Sequence, residues 1–356
     1  MNSQRLEILK NHLKDENIDQ MVVSDPLSIY YLTGLFLNPG ERMFVLLVDS
    51  NSNHKLFINK LFPIDDIKNI EKIVYKDADK PVEILAENIR DGKIGIDKNW
   101  PAHFLLSLMQ LKQNEFVNSS VIIDKMRMYK DEEEKEKMRY VSKLNDKAIK
   151  KLIENFDTSK TELEIKDDLL KIYDELGAEG VSFDPIIGYG PNGANPHGEP
   201  GERYLKEGDS IIIDIGCKKD MYCSDMTRTI FFKHADQKRQ EVYNIVREAY
   251  KRGVSKVKPG VKFSEIDKAC RDYITEKGYG EYFTHRTGHH IGLEDHDYGD
   301  VSETNDSICE EGMIFSIEPG IYLEGEFGVR IEDLVLVTKD GCEDLNSYPT
   351  DLMIIE

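Results

Sequence analysis

The stretch Lys206-Glu-Gly-Asp-Ser-Ile-Ile-Ile-Asp-Ile-Gly-Cys-Lys-Lys-Asp-Met-Tyr-Cys-Ser-Asp-Met-Thr-Arg228 decides how the rest of the chain is read. Three isoleucines, Ile211 to Ile213, run into Asp214, and Gly208 and Gly216 bound the run. This pattern predicts a buried strand with a carboxylate near its end. Eleven residues on, Asp225 precedes a second strand-like run, Met226–Phe232. A hairpin between the two runs brings Asp214 and Asp225 together, and adjacent carboxylates repel unless a cation separates them. This stretch alone leaves two readings open: a metal site, or one Asp opening a turn and the other paired with Arg228.

A second copy of the pattern favours the metal. Glu207-Gly-Asp-Ser-Ile-Ile-Ile-Asp-Ile-Gly216 aligns with Glu311-Gly-Met-Ile-Phe-Ser-Ile-Glu-Pro-Gly320. Asp214 then corresponds to Glu318. Each copy is followed by a further acid beside an apolar run: Asp225 in the first, Glu332 in the second. An internal repeat indicates a fold built twice. Here it repeats acids on apolar strands, which packing alone does not favour.

Helical stripes support the duplication. Met138, Val141, Ala148, Ile149 and Leu152 mark one helix, whose charged start, Asp131–Arg139, reads as a solvated face. Thr161-Glu-Leu-Glu164 has capping-box spacing and opens a second helix that Gly177 stops. Stripes at Val242–Tyr250 and Ile266–Ile274 repeat the pair. Four helices backing a curved, mostly antiparallel sheet is the expected assembly, an α+β domain over residues 123–356. Residues 1–122 alternate short helices and strands and read as a smaller α/β domain. Gly188-Tyr-Gly-Pro-Asn-Gly193 fits a dinucleotide fingerprint literally, but Pro191, Pro196 and Pro200 forbid the helix it needs. It is read as a turn-rich loop presenting His197. His285, His289, His290 and His296 stand within twelve residues, flanked by Gly288 and Gly292, which allow close backbone approach.

Composition sets the class. Hydrophobic residues make up 40% of the 356 and charged residues 32%, as expected of a globular protein. The net charge of −20 argues against nucleic acid and anionic membrane surfaces as partners. The longest apolar run, Met43–Val48, is too short to span a bilayer, and the first residues lack a signal core. Five scattered cysteines without Cys-x-x-Cys fit a reducing cytoplasm. Cys217 and Cys223 read as packing residues.

Taken together, these residues give a chain that resembles the pita-bread metallopeptidases, nearest to the prolidases (Xaa-Pro dipeptidases) and aminopeptidases P. The likeness runs over essentially the whole chain. Tyr30-Tyr-Leu-Thr-Gly34 resembles a phrase of the family's creatinase-type N-terminal domain. Asp-Ile-Gly with a second Asp eleven on, Thr-Gly-His, Ile-Glu-Pro-Gly and Val-Arg-Ile-Glu-Asp occur in the family's order. The resemblance implies metal ligands at Asp214, Asp225, His289, Glu318 and Glu332, with Asp225 and Glu332 bridging two divalent ions. It implies catalytic roles for Glu318, His296 and His197, and substrate contacts from His197, His285 and Arg330. Four carboxylates and one imidazole suit Mn2+ or Co2+, and also Zn2+ or Fe2+. The implied reaction is hydrolysis of Xaa-Pro dipeptides by a water shared between the ions, in a cytoplasmic homodimer. Alternatives are an aminopeptidase P acting on longer peptides, a creatinase-like amidinohydrolase, and a non-catalytic binding module; the last two are expected to lose ligands, and all five are kept. Departures from the family pattern are His290 in place of Gly, Asp295 in place of an apolar residue, and Asp297 where Glu is common.

Overall fold

Local sequence chemistry sets the element ends in the computed structural model, which describes residues 2–356. The chain divides into two compact units, Met1–Arg127 and Met128–Glu356. The helix Ser120–Met128 runs through position 122, where the sequence places the domain boundary.

The first unit is built on a six-stranded mixed sheet. In spatial order its strands are Ile70–Tyr75, His54–Asn59, Val45–Asp49, Gln20–Val23, Lys93–Ile96 and Glu115–Asn118. Gln20–Val23 pairs antiparallel with Val45–Asp49 and parallel with Lys93–Ile96. Val22, Val45, Phe57, Leu85, Ile94 and Leu108 share one buried cluster. The sequence reading missed the helix Pro26–Thr33. Its signals are local: Asp25 accepts from the Ser28 N–H, Pro26 occupies the first turn, and Gly34 ends the helix at φ 78°.

The second unit repeats one plan. Helices Glu132–Glu154 and Glu162–Leu176 precede the first acidic hairpin, and Gln237–Lys256 and Phe263–Glu276 precede the second. Thr161 and Glu164 form the expected reciprocal capping box, and Gly177 closes the helix at φ 77°. An unforeseen second box, Asp131 with Glu134, starts the charged helix. Ser210–Ile215 pairs antiparallel with Met226–Phe232, placing Asp214 opposite Thr227. The short hairpin Cys217–Lys219/Tyr222–Cys223 lies between them. In the second copy Ile314–Ile317 pairs with Asp333–Val337, with Gly320–Leu323/Phe327–Arg330 between. Thr227 and Glu332 join the two copies through an isolated antiparallel bridge. Phe231, Val246, Phe263, Phe315, Ile317 and Val335 belong to one buried cluster, formed by the strand Met226–Phe232 of the first copy with helices and strands of the second. Apolar stripes on the helices and alternating strand faces predict this packing.

One sequence reading needs correction. Gly188 and Tyr189 are not loop but part of the strand Ile186–Tyr189, paired with Ser210–Ile215. A side chain on Gly188 would meet the Gly193 backbone at 2.9 Å. The glycine therefore serves the fold back of strand on turn, which explains its place without a nucleotide.

Candidate metal centre and active site

Strand alternation puts the acids on one face. Asp214 lies opposite Thr227, and Thr227 bridges Glu332. Asp225 is two residues before Thr227 and Arg330 two before Glu332, so these side chains share that face. Thr227 Oγ1 donates to Glu332 Oε2 at 2.7 Å. His289 arrives from the short strand Gly288–His289. Gly288 is required there, because a Cβ would sit 1.9 Å from the Ser316 carbonyl oxygen. The neighbouring His289 N–H is held by Ser316 Oγ at 3.0 Å.

Asp225, His289 and Glu332 each present an atom within 4.8 Å of the other two, and all three are buried. His289 Nε2 lies 3.4 Å from Asp225 Oδ2 and 3.6 Å from Glu318 Oε1. Its Nδ1 is 3.2 Å from the His290 carbonyl, which only accepts. Nδ1 therefore carries a hydrogen, which leaves Nε2, aimed at the carboxylates, as the ring nitrogen available to an ion. Asp214 Oδ1, Asp225 Oδ1 and Glu332 Oε1 are buried without hydrogen-bond partners. Burial, and then repulsion from neighbouring acids, holds the Asp225 and Glu332 carboxyls well above the usual range. Glu318 is also raised, first by burial. Orphaned carboxylate oxygens and one aimed imidazole are the donor set that a hard or borderline divalent ion requires, so the residues fit the metal. The alternative of Asp225 paired with Arg228 is excluded: Arg228 pairs with Asp333 at 2.7 Å.

The cluster floors a cavity of about 660 Å³, also lined by His197, His285, Arg286, Asp295, His296 and Arg330. Each sequence-predicted site residue lines it, but their commitments differ. Arg330 is 3% exposed. Its Nη2 donates to Asp214 Oδ2 at 2.6 Å, Nη1 to Tyr322 OH at 2.7 Å and Nε to Thr227 Oγ1 at 3.1 Å. Three of its five N–H groups thus serve the protein. His285 gives its Nδ1 hydrogen to the Arg286 carbonyl at 2.7 Å and accepts the Tyr322 hydroxyl at Nε2, 2.8 Å. Burial pushes its imidazole down to about 3, so the ring is neutral and both nitrogens are occupied. His296 is open to solvent, its ring 4.0 Å from that of His289. Arg286 Nη2 donates to His296 Nδ1 at 3.2 Å, leaving Nε2 as the hydrogen-bearing nitrogen. His197 is exposed on the segment following the Asn192–Ala194 turn.

Two departures are explained by packing. His290 is fully buried against Phe263 and Phe315, with ring centroids 5.2 and 5.5 Å away, and does not line the cavity. Asp297 is buried, with Oδ2 3.7 Å from Lys130 Nζ. Asp295 does face the cavity. The sequence reading missed Thr227, Tyr322 and Ser316, which hold the site residues. The strand period could have flagged Thr227, two residues after Asp225; Tyr322 and Ser316 carried no separate signal.

Residues 136–339 match metallopeptidase family M24, and residues 5–129 match the creatinase/prolidase N-terminal domain. Among solved structures, the chain is similar to a dipeptidase from Pyrococcus horikoshii OT3: TM-score 0.94, 35% identity, covering 99% of this chain and 100% of that one. A prolidase from Thermococcus sibiricus matches at TM-score 0.92 and 33% identity over 100% and 99% of the two chains. An X-Pro aminopeptidase from Thermotoga maritima matches at TM-score 0.84 and 30% identity, over 95% and 97%. Among the described residues no helix is long and apolar enough to cross a membrane. Since the matched region takes in every candidate ligand from Asp214 to Glu332, the chain belongs to metallopeptidase family M24.

Proposed function

We propose that the enzyme hydrolyses Xaa-Pro dipeptides, using two divalent ions held by Asp214, Asp225, His289, Glu318 and Glu332. The observation that carries this reading is the convergence of buried, partnerless carboxylate oxygens and His289 Nε2 under one open cavity. When bound, such a pair of ions polarises the scissile carbonyl and makes water nucleophilic at neutral pH.

The chain's own groups do the rest. Glu318, with its carboxyl raised by burial, is suited to take a proton from water and pass it to the leaving nitrogen. His296 Nε2–H is a donor available to the oxyanion of the tetrahedral state. His197 stands at the rim to contact the substrate backbone. Proline's nitrogen has no hydrogen for a protein to grip. The site must therefore hold the substrate by its ends and protonate the imino nitrogen directly. The cavity is in the range of small-ligand pockets. The dipeptidase and prolidase among the structural relatives favour a dipeptide; the similarity to an X-Pro aminopeptidase supports longer peptides as the second reading.

The ligand set suits Mn2+ or Co2+, then Zn2+ or Fe2+. A homodimer is the expected state, checked by light scattering. All five cysteines are free, in keeping with a reducing cytoplasm. The deciding test is kcat/KM for Ala-Pro against Ala-Pro-Ala on protein stripped of metal and reloaded with each of the four ions in turn. Preference for the tripeptide establishes the second reading. Failure to cleave either with any of the four ions sinks both.

A further inference from the structure

Arg228 follows Thr227 on the strand Met226–Phe232, so its side chain leaves the opposite face of the sheet from the acids. It is 1% exposed. All five N–H groups of its guanidinium have an acceptor. Nε donates to the Pro349 carbonyl at 3.0 Å. Nη1 donates to the carbonyls of Thr227 at 2.9 Å and Glu332 at 2.8 Å. Nη2 donates to Asp333 Oδ1 at 2.7 Å and the Tyr348 carbonyl at 2.6 Å. One carboxylate would neutralise the charge, and a lysine could supply it. Four backbone carbonyls around a planar fork are a geometric device instead.

The device sits where the two copies meet through a single bridge. Thr227 and Glu332 meet in an isolated bridge, with one backbone bond from Glu332 N–H to the Thr227 carbonyl at 3.1 Å. On the Arg330 side, Thr229 Oγ1 stitches the strands, accepting from Arg330 N–H at 3.1 Å and donating to its carbonyl at 2.9 Å. On the Glu332 side that stitch is Arg228. A strand free to slip or rotate there would swing the Glu332 carboxylate by its backbone. The outer end of the clamp is anchored too. Asp146, on the helix Glu132–Glu154, accepts Ser347 N–H at 2.7 Å, Ser347 Oγ at 2.6 Å and Tyr348 N–H at 3.3 Å. A chain of hydrogen bonds therefore runs from Asp146 through residues 347–349 and Arg228 to the main chain of Glu332.

We propose that Arg228 is a positioning residue for the metal centre, and that the segment Ser347–Pro349, anchored on Asp146, is part of the same apparatus. The proposal rests on Glu332 being a metal ligand. The test is titration of chelator-stripped full-length protein with Co2+, read by calorimetry and by the visible absorption of the bound ion, with folding checked by circular dichroism. Arg228→Lys keeps the charge and loses the fork; the expected result is a folded protein with Co2+ affinity down about 10–100-fold and an altered spectrum. Asp333→Asn keeps the four carbonyl bonds, so it should lower Tm while leaving affinity within about threefold of the parent. Asp146→Ala should lower affinity several-fold from the far end of the chain. A role confined to folding would move Tm and leave the affinity of the folded protein unchanged. The proposal is overturned if folded Arg228→Lys binds Co2+ with parental affinity and spectrum, or if Asp333→Asn loses as much affinity as Arg228→Lys. If Arg228→Lys does not fold, parental Co2+ binding by Asp146→Ala overturns it. Glu332→Gln is the separate control: parental binding there refutes the ligand assignment itself.

Discussion

Replacing Arg330 by alanine separates two roles that the sequence cannot distinguish. If the guanidinium receives the substrate's carboxylate, its removal costs one charge-assisted contact, about 1.5–3 kcal/mol, felt by dipeptides and not by longer peptides. The structure gives it a larger task. It is fully buried among carboxylates and bonds Asp214 at 2.6 Å. Removing one member of a buried pair leaves the other uncompensated, at about 3–5 kcal/mol. For a unit the size of Met128–Glu356 that corresponds to a fall in Tm of roughly 6–20 °C. The drop should be largest after chelation, when no ion shares the charge of Asp214. Expected, then, is a lower Tm for Arg330→Ala and a similar fractional loss of kcat/KM on Ala-Pro and Ala-Pro-Ala. The assay is calorimetric melting with and without chelator, beside both peptides. A collapse of the dipeptide preference with Tm within about 2 °C of the parent would refute this reasoning and return Arg330 to the substrate.

Chelation should abolish activity and lower Tm together. The folded-state carboxyls of Asp225, Glu332 and Glu318 are raised by burial above their unfolded values. The stripped fold therefore holds protons that the unfolded chain releases near pH 4, and its stability falls as pH rises through the folded values. Tm of the stripped protein that climbs from pH 5 to 8 contradicts this, as does activity that survives exhaustive chelation. Asp225→Asn should lose activity by orders of magnitude, whereas Cys217→Ser should lose little: burial pushes the Cys217 thiol up to about 12, so it packs and does not react. Equal losses in two folded variants would redraw the ligand set. Asp295→Leu should raise KM for Ala-Pro by roughly tenfold, and an unchanged KM would remove Asp295 from substrate binding.

Much of the fold was legible because its signals are local and periodic. The capping box at Thr161 and the acidic hairpin at Asp214 stand where the residues predict. The Asp214/Glu318 repeat anticipated two strand pairs, but not the smaller hairpin inside each. What the sequence did not show is pairing across long separations. Nothing near Arg228 announces Asp333, Tyr348 and Pro349 as its partners, more than a hundred residues on. Gly188 was misread because its turn residues follow it, while its strand partner lies over twenty residues away at Ile212. His290 looked like a change at the site because it neighbours His289. On a strand-like backbone successive side chains face opposite ways, and His290 turns into the aromatic core.

The placement of Arg330 changes the electrostatics inferred from composition alone. Four carboxylates would balance two divalent ions, and a hydroxide added to them would leave the floor negative and inviting to a substrate's ammonium. A guanidinium within hydrogen-bonding distance of Asp214 adds one positive charge to that count. The floor is then neutral or positive and offers the ammonium no net attraction. Three acids outside the proposed ligand set line the cavity, Asp184, Glu199 and Asp295; Asp184 is paired with Lys166, which leaves Glu199 and Asp295 to receive the ammonium. Asp295 stands where the family resemblance leads one to expect an apolar side chain, so the change falls where the floor has lost its attraction. Orientation follows from this division of charge. On the proposed reading, the substrate's amine meets the acidic wall, its scissile carbonyl the floor, and its proline end the side that carries Arg286 and His285.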